Sequence, residues 1–168
     1  MNNKFARTLL TALSISALVL AGCSDDDDDS TGPTGPTGTG AAINAGNVGA
    51  AQAAMTNVFT TALAKGPGTH NGATSGTVKI TFSTGKLAQI GTSIKYNAVF
   101  TNYSDDGLLY IDGPLAITGN PATQSFKYVG DLDLSGTYSG NVKLDLTITN
   151  GVPSGTVTVD GVPFPVSG

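Results

Sequence analysis

From residue 78 onward the chain alternates apolar and polar side chains. Val78, Ile80 and Phe82 interleave with Lys79, Thr81 and Ser83, and Ile94, Tyr96, Ala98 and Phe100 interleave with Lys95, Asn97 and Thr101. A period of two sends successive side chains to opposite faces, so these stretches are predicted to be half-buried strands. Shorter strands are predicted at 108–112, 115–118, 125–129 and 132–138, punctuated by Asp105-Asp106-Gly107, Asp112-Gly113, Gly119-Asn120-Pro121 and Gly130-Asp131. The clearest is 141–149, where Val142, Leu144, Leu146 and Ile148 face one way; Asn150-Gly151 then turns the chain into 156–160. The connections are too short for parallel crossovers, which predicts an antiparallel meander. Pro163 and Pro165 stand two apart, so both missing amide hydrogens fall on one side of the strand, as an edge requires.

Before the strands the period is different. Val48, Ala51, Met55, Val58, Phe59, Ala62 and Leu63 recur at threes and fours, with Gln52, Thr56, Asn57, Thr60 and Thr61 on the other side. That spacing predicts one amphipathic helix. Asn44 or Asn47 is placed to cap its start, Lys65 lies in its last turn, and Gly66-Pro67 ends it. The stretch from Gly66 to Gly76 reads as a flexible loop. The fold class is therefore α+β: one N-terminal helix packed on a curved antiparallel meander of about nine strands, lying across the sheet or plugging an incomplete barrel.

The first residues carry a separate pattern. Lys4 and Arg7 precede an uncharged apolar segment from Leu9 to Leu20. Its length of about a dozen residues suits a signal-peptide core and falls short of the roughly 20 needed to span a bilayer. Leu20, Ala21, Gly22 and Cys23 follow directly and resemble the lipobox of bacterial lipoproteins. The resemblance implies cleavage between Gly22 and Cys23 and acylation of Cys23. Two or three acyl chains, at about 0.8 kcal/mol per buried methylene, would hold the protein on a membrane without help from its surface. Ser24 followed by Asp25 to Asp29 resembles the outer-membrane sorting of enterobacterial lipoproteins and the surface-export signals of some Bacteroidota lipoproteins; the aspartate run reads equally well as a solvated spacer.

The expected organisation is a signal peptide at 1–22, an acylated cysteine and acidic Gly/Pro/Thr linker at 23–40, and one domain at 41–168. The linker repeats glycine every third residue for too few triplets to form a triple helix, and its 17 residues reach about 50 Å at about 3 Å per residue. Charge is unevenly placed. Five of the twelve acidic residues are in the linker and two of the eight basic ones, Lys4 and Arg7, precede the cysteine, leaving seven aspartates against six lysines in the domain. With no arginine beyond Arg7 and no basic patch, nucleic acid is not an expected partner. Cys23 is the only cysteine, so the domain must be held by packing rather than by a disulfide.

Candidate chemistry is sparse. His70, the only histidine, has Gly68, Thr69, Asn71 and Gly72 around it and no carboxylate nearby in sequence, and reads as a solvated loop residue. Asp131 and Asp133 project from one face of a strand about 6.6 Å apart. They read first as water-facing, with calcium binding as a lesser alternative and a glycosidase pair as a remote one. Asp105-Asp106-Gly107 reads as a turn before an ion site. The five tyrosines differ in phase, which predicts rings half-buried with their hydroxyls wet. No nucleophile elbow, phosphate loop, haem-attachment or zinc spacing is present, and no cofactor is expected.

The expected function is a non-catalytic, lipid-anchored binding or structural module of the cell envelope, at the outer membrane, with an unidentified protein or envelope partner. The alternative is a carrier of a hydrophobic ligand. One helix against a many-stranded antiparallel sheet is similar in outline to the lipoprotein-localisation carriers of the Gram-negative periplasm, which would imply an apolar cavity lined by Met55, Phe59, Phe82 and Phe100. An enzyme with an unrecognised site is the third reading.

Overall fold

The computed structural model describes residues 40–87 and 91–168; the segments expected to be signal peptide and linker, with Gly22 and Cys23, lie outside the described residues. Among the described residues a single helix, α1 (Val48–Ala64), is followed by a large sheet. The strands are β1 (Ala41–Ala42), β2 (Gly68–Asn71), β3 (Ser75–Leu87), β4 (Gly91–Ser104), β5 (Leu109–Asn120), β6 (Ser125–Gly136), β7 (Tyr138–Thr149), β8 (Val152–Val159) and β9 (Val162–Ser167). From β2 to β9 they pair in chain order, each antiparallel to the next, and the sheet is open. Two-residue β1 is the exception, pairing parallel with β7 at Ala41 and Tyr138.

Among the described residues the expected number of strands is met, but by different strands. The predicted pair 108–112 and 115–118 is one strand, β5, and 125–129 and 132–138 merge into β6, whose last residue is Gly136. Glycine explains the difference. Gly113 is not a turn but a close approach, its φ of 115° and the carbonyl oxygen of Asp131 leaving no room for a Cβ. Gly130 pairs directly with Leu115 on the buried face and gives that side chain space. The stretch expected to be a loop contains β2, which pairs Thr69 with Lys79 and His70 with Val78.

Two hairpins follow their turn chemistry closely. At Asn150-Gly151 the φ angles are 52° and 83°, and at Asp160-Gly161 they are 48° and 84°. Both residues positive is the mirror-image turn whose twist suits a two-residue hairpin, and Thr149 pairs with Val152 and Val159 with Val162 across them. At the far edge Gly168 donates its amide to Pro153 at 2.9 Å, in register with the β8 and β9 pairing. By alternation the backbones of Pro163 and Pro165 then face away from β8, so the edge offers no donor there.

The apolar positions converge. Ala51, Met55, Val58, Phe59 and Ala62 of the helix are buried, as are Val78, Ile80, Phe100, Ile117, Leu132, Val142, Ile148 and Val157 of the strands. The rings of Phe59 and Phe100 stand 5.7 Å apart, and Phe100 meets Tyr103 edge-on at 5.6 Å. Lys65 is the helix C-cap rather than a residue of its last turn, and Gly66 at φ 78° ends the helix. At the start Asn47 makes no side-chain cap; its Oδ1 accepts the Asn44 amide at 2.7 Å, tying the approach to the helix instead.

Candidate functional site

A connected polar cluster sits where the helix ends above the β4–β5 turn. An irregularity in the register between Phe100 and Tyr103 creates it: Asn102 has φ 44°, and the extra residue turns Tyr103 to the same buried side as Phe100. The Asn102 amide donates to Asp112 Oδ2 at 2.9 Å, and its side-chain nitrogen donates to Ser75 Oγ at 3.2 Å, which fix the bulge. Tyr103, fully buried, donates its hydroxyl to Asp105 Oδ2 at 2.6 Å. Asp105 Oδ1 accepts from Lys65 Nζ at 3.1 Å and from the Ala73 amide at 2.9 Å. Lys65 also donates to the Asn71 carbonyl at 3.0 Å and stands 5.1 Å from the centre of the Tyr103 ring.

These contacts set the charges. Burial alone would raise the Asp105 carboxyl, but the Tyr103 hydroxyl, the Ala73 amide and Lys65 outweigh it and hold it below the usual aspartate range. Lys65 is raised, first by the Tyr103 hydroxyl and then by Asp105, against the opposing effect of burial. Burial raises the Tyr103 phenol, and its bond to Asp105 raises it further. A carboxylate, an ammonium and a neutral phenol are each satisfied by the other two. Chemically this is a clamp joining four segments of chain, with no group left in need of a proton.

The adjacent Asp106 completes the turn expected at Asp105-Asp106-Gly107. Its Oδ1 accepts from the amides of Leu108 and Leu109 at 2.8 and 3.1 Å and from the Ser104 hydroxyl at 3.2 Å. Those bonds outweigh its burial and lower its carboxyl. His70 lies on β2 and donates Nε2–H to the Gly66 carbonyl at 2.9 Å, so the ring ties the new strand to the helix end. Its partner is a carbonyl rather than the carboxylate that acid–base work requires.

Asp131 and Asp133 share the exposed face of β6, as expected. Between them stands Asn141 of β7, whose side-chain nitrogen donates to Asp131 Oδ1 at 2.9 Å and to Asp133 Oδ1 at 3.0 Å. Lys143 adds an ion pair to Asp131 at 3.2 Å. The amide of Asn141 and the lysine lower the Asp131 carboxyl, and both supply from the protein what a cation would supply. Among the described residues no three His, Cys, Asp or Glu side chains gather around one point.

Of the four residues expected to line a cavity, Met55, Phe59 and Phe100 are buried, and Phe59 packs on Phe100. Phe82 stands apart. Phe100 pairs with Val78, four residues before Phe82, a separation of about 13 Å along the strand. Phe82 instead packs against Tyr96, their tilted rings 4.7 Å apart. The tyrosines also depart from expectation, since Tyr103 and Tyr128 are buried outright and burial pushes the Tyr128 phenol up to about 12.

The sequence reading missed a depression of about 470 Å³ on the opposite, solvent-facing side of the sheet, where Val99, Pro114, Ala116 and Val129 come together. Val99 and Val129 are each nearly half exposed, at 48% and 46%. A period-two pattern marks such positions only as outward, and the apolar ones are conspicuous only once the register sets them side by side. No known protein family matches the chain, and neither a curated protein nor a solved structure matches it.

Proposed function

We propose that the protein is a lipid-anchored binding or structural module of the bacterial cell envelope, held at the outer membrane through acylated Cys23. The observation that carries this is the run Leu20-Ala21-Gly22-Cys23 directly behind a charged leader and a short apolar core, in a chain with no other cysteine. The fold is compatible with it. Ala41 donates its amide to Thr137 at 3.0 Å and pairs with Tyr138 of β7, which would give the linker expected before it a fixed attachment point.

In this reading the helix lies across the concave side of a curved sheet, in support of which stand the Phe59–Phe100 contact and the Lys65–Asp105 bridge. The same Phe59–Phe100 packing favours a filled body over a carrier with an open interior. Satisfied polar clusters at Asp105 and Asp131 favour binding or scaffolding over catalysis. Alkaline carbonate extraction of membranes from cells expressing the full chain tests the anchor. The protein remains with the lipid, and Cys23→Ser is released; retention of the variant would overturn the proposal.

A further inference from the structure

The sheet face turned away from the helix is patterned in rows across the strands. In the outermost row at one end Asp112 stands opposite Asp133. In the corresponding row at the other end Lys95 and Lys127 flank Thr118. Between them lie two middle rows, one carrying Val99 beside Pro114 and Asp131 beside Lys143, the other carrying Ala116 beside Val129 and Val129 beside Asp145. Rows step by about 6.6 Å, so the acidic and basic rows each stand about 10 Å from the line between the middle rows.

We propose that this face docks a second copy of the same chain, sheet on sheet, about a two-fold axis that runs across the strands between the middle rows. That axis turns one sheet over and sets its acidic row on the basic row of the other. Asp133 of one copy then meets Lys127 of its mate, and by symmetry Lys127 meets Asp133. Lys143 and Asp145 exchange in the same way. Pro114 and Ala116 close on each other over the apolar depression. An axis along the strands between β5 and β6 would put Asp112 and Asp133 onto the same aspartates of the mate, so charge disfavours that arrangement.

These charges are exposed enough to exchange partners. Lys127 pairs with Asp145 at 3.0 Å and Lys143 with Asp131 at 3.2 Å, yet all four side chains remain at least half exposed, between 52% and 68%. Strands about 4.8 Å apart and rows spanning about 20 Å make a face of about 700 Å². Two convex faces bury the central part of it, so the interface is smaller than the roughly 800 Å² that each partner contributes to a standard one and its affinity is modest.

The test is sedimentation equilibrium of the full chain in a density-matched mild detergent, at low and high salt. The native protein is a dimer that salt weakens. Lys127→Asp and Asp133→Lys each weaken association about tenfold, and the double variant restores it to within about threefold, because the pairs reform with their signs exchanged. Val129→Lys, which buries a charge at the centre, leaves monomer with an unchanged circular dichroism spectrum. A native protein that is monomeric up to about 100 μM overturns the proposal, as does a double variant no better than its parents.

Discussion

The phenolic oxygen of Tyr103 lies 2.6 Å from Asp105 Oδ2, a bond between a fully buried ring and the turn that follows its own strand. It exists because the Asn102 bulge changes the phase of β4. Removing the hydroxyl leaves a carboxylate short of a donor, so Tyr103→Phe is expected to cost about 1.5–3 kcal/mol, the range for hydrogen bonds to charged groups. Urea unfolding followed by circular dichroism measures it. A loss within experimental error would mean that solvent replaces the phenol.

The same cluster contributes to the behaviour in acid, alongside the lowered carboxyls of Asp106 and Asp131. The Asp105 carboxyl is lower in the folded protein than in the unfolded chain. Its contribution is therefore complete above the ordinary aspartate pKa and is lost as pH falls through the depressed folded value. Stability of the native protein should drop below about pH 4, whereas Asp105→Asn, less stable at neutral pH, should show a flatter acid limb. Parallel acid limbs would contradict the assignment.

In alkali the control passes to Tyr128. Its phenol rises from 10.0 to about 12, so the neutral form is favoured by folding. That contribution is fully present below pH 10 and is lost as pH rises from there to about 12, a change of about 3 kcal/mol. Tyr128→Phe removes the titrating group and should flatten this part of the stability profile. Equal slopes for the two proteins between pH 10 and 12 would sink the idea.

Glycines separate backbone strain from simple flexibility. Gly151 sits at φ 83° in a hairpin turn and Gly49 on the exposed side of the helix, each with open space where a Cβ would stand. Gly151→Ala should destabilise by about 1 kcal/mol and Gly49→Ala should stabilise by about 0.5–1 kcal/mol. Thermal melts of the two variants should move in opposite directions.

Packing supplies the largest single effect. Phe59 is 6% exposed and meets Phe100 at 5.7 Å. Truncation to alanine removes the helix's main aromatic contact and is expected to cost about 3–5 kcal/mol. Chemical denaturation should show it as an earlier midpoint with an unchanged slope.

What could be read from the sequence follows from how local each signal is. Strand β7 was legible because Val142, Leu144, Leu146 and Ile148 alternate without interruption and end on Asn150-Gly151. Strands β5 and β6 were broken in the reading because glycine signals a turn and a close approach alike, and at Gly113 only the facing Asp131 carbonyl tells them apart. Strand β2 was invisible: Gly68 to Asn71 carry no apolar alternation and become a strand by pairing with β3. The Asp105 clamp joins Lys65 across 40 positions and Ala73 across 32, a separation at which sequence spacing carries no information. Its one local trace is Asn102, an out-of-place turn residue within a strand.

Acylation of Cys23 carries the proposed anchoring and location, and metabolic labelling of growing cells with radioactive palmitate tests it most directly. The native chain is expected to take up label that survives denaturing electrophoresis, and Cys23→Ala to take up none. An unlabelled native protein, or a labelled alanine variant, would contradict it.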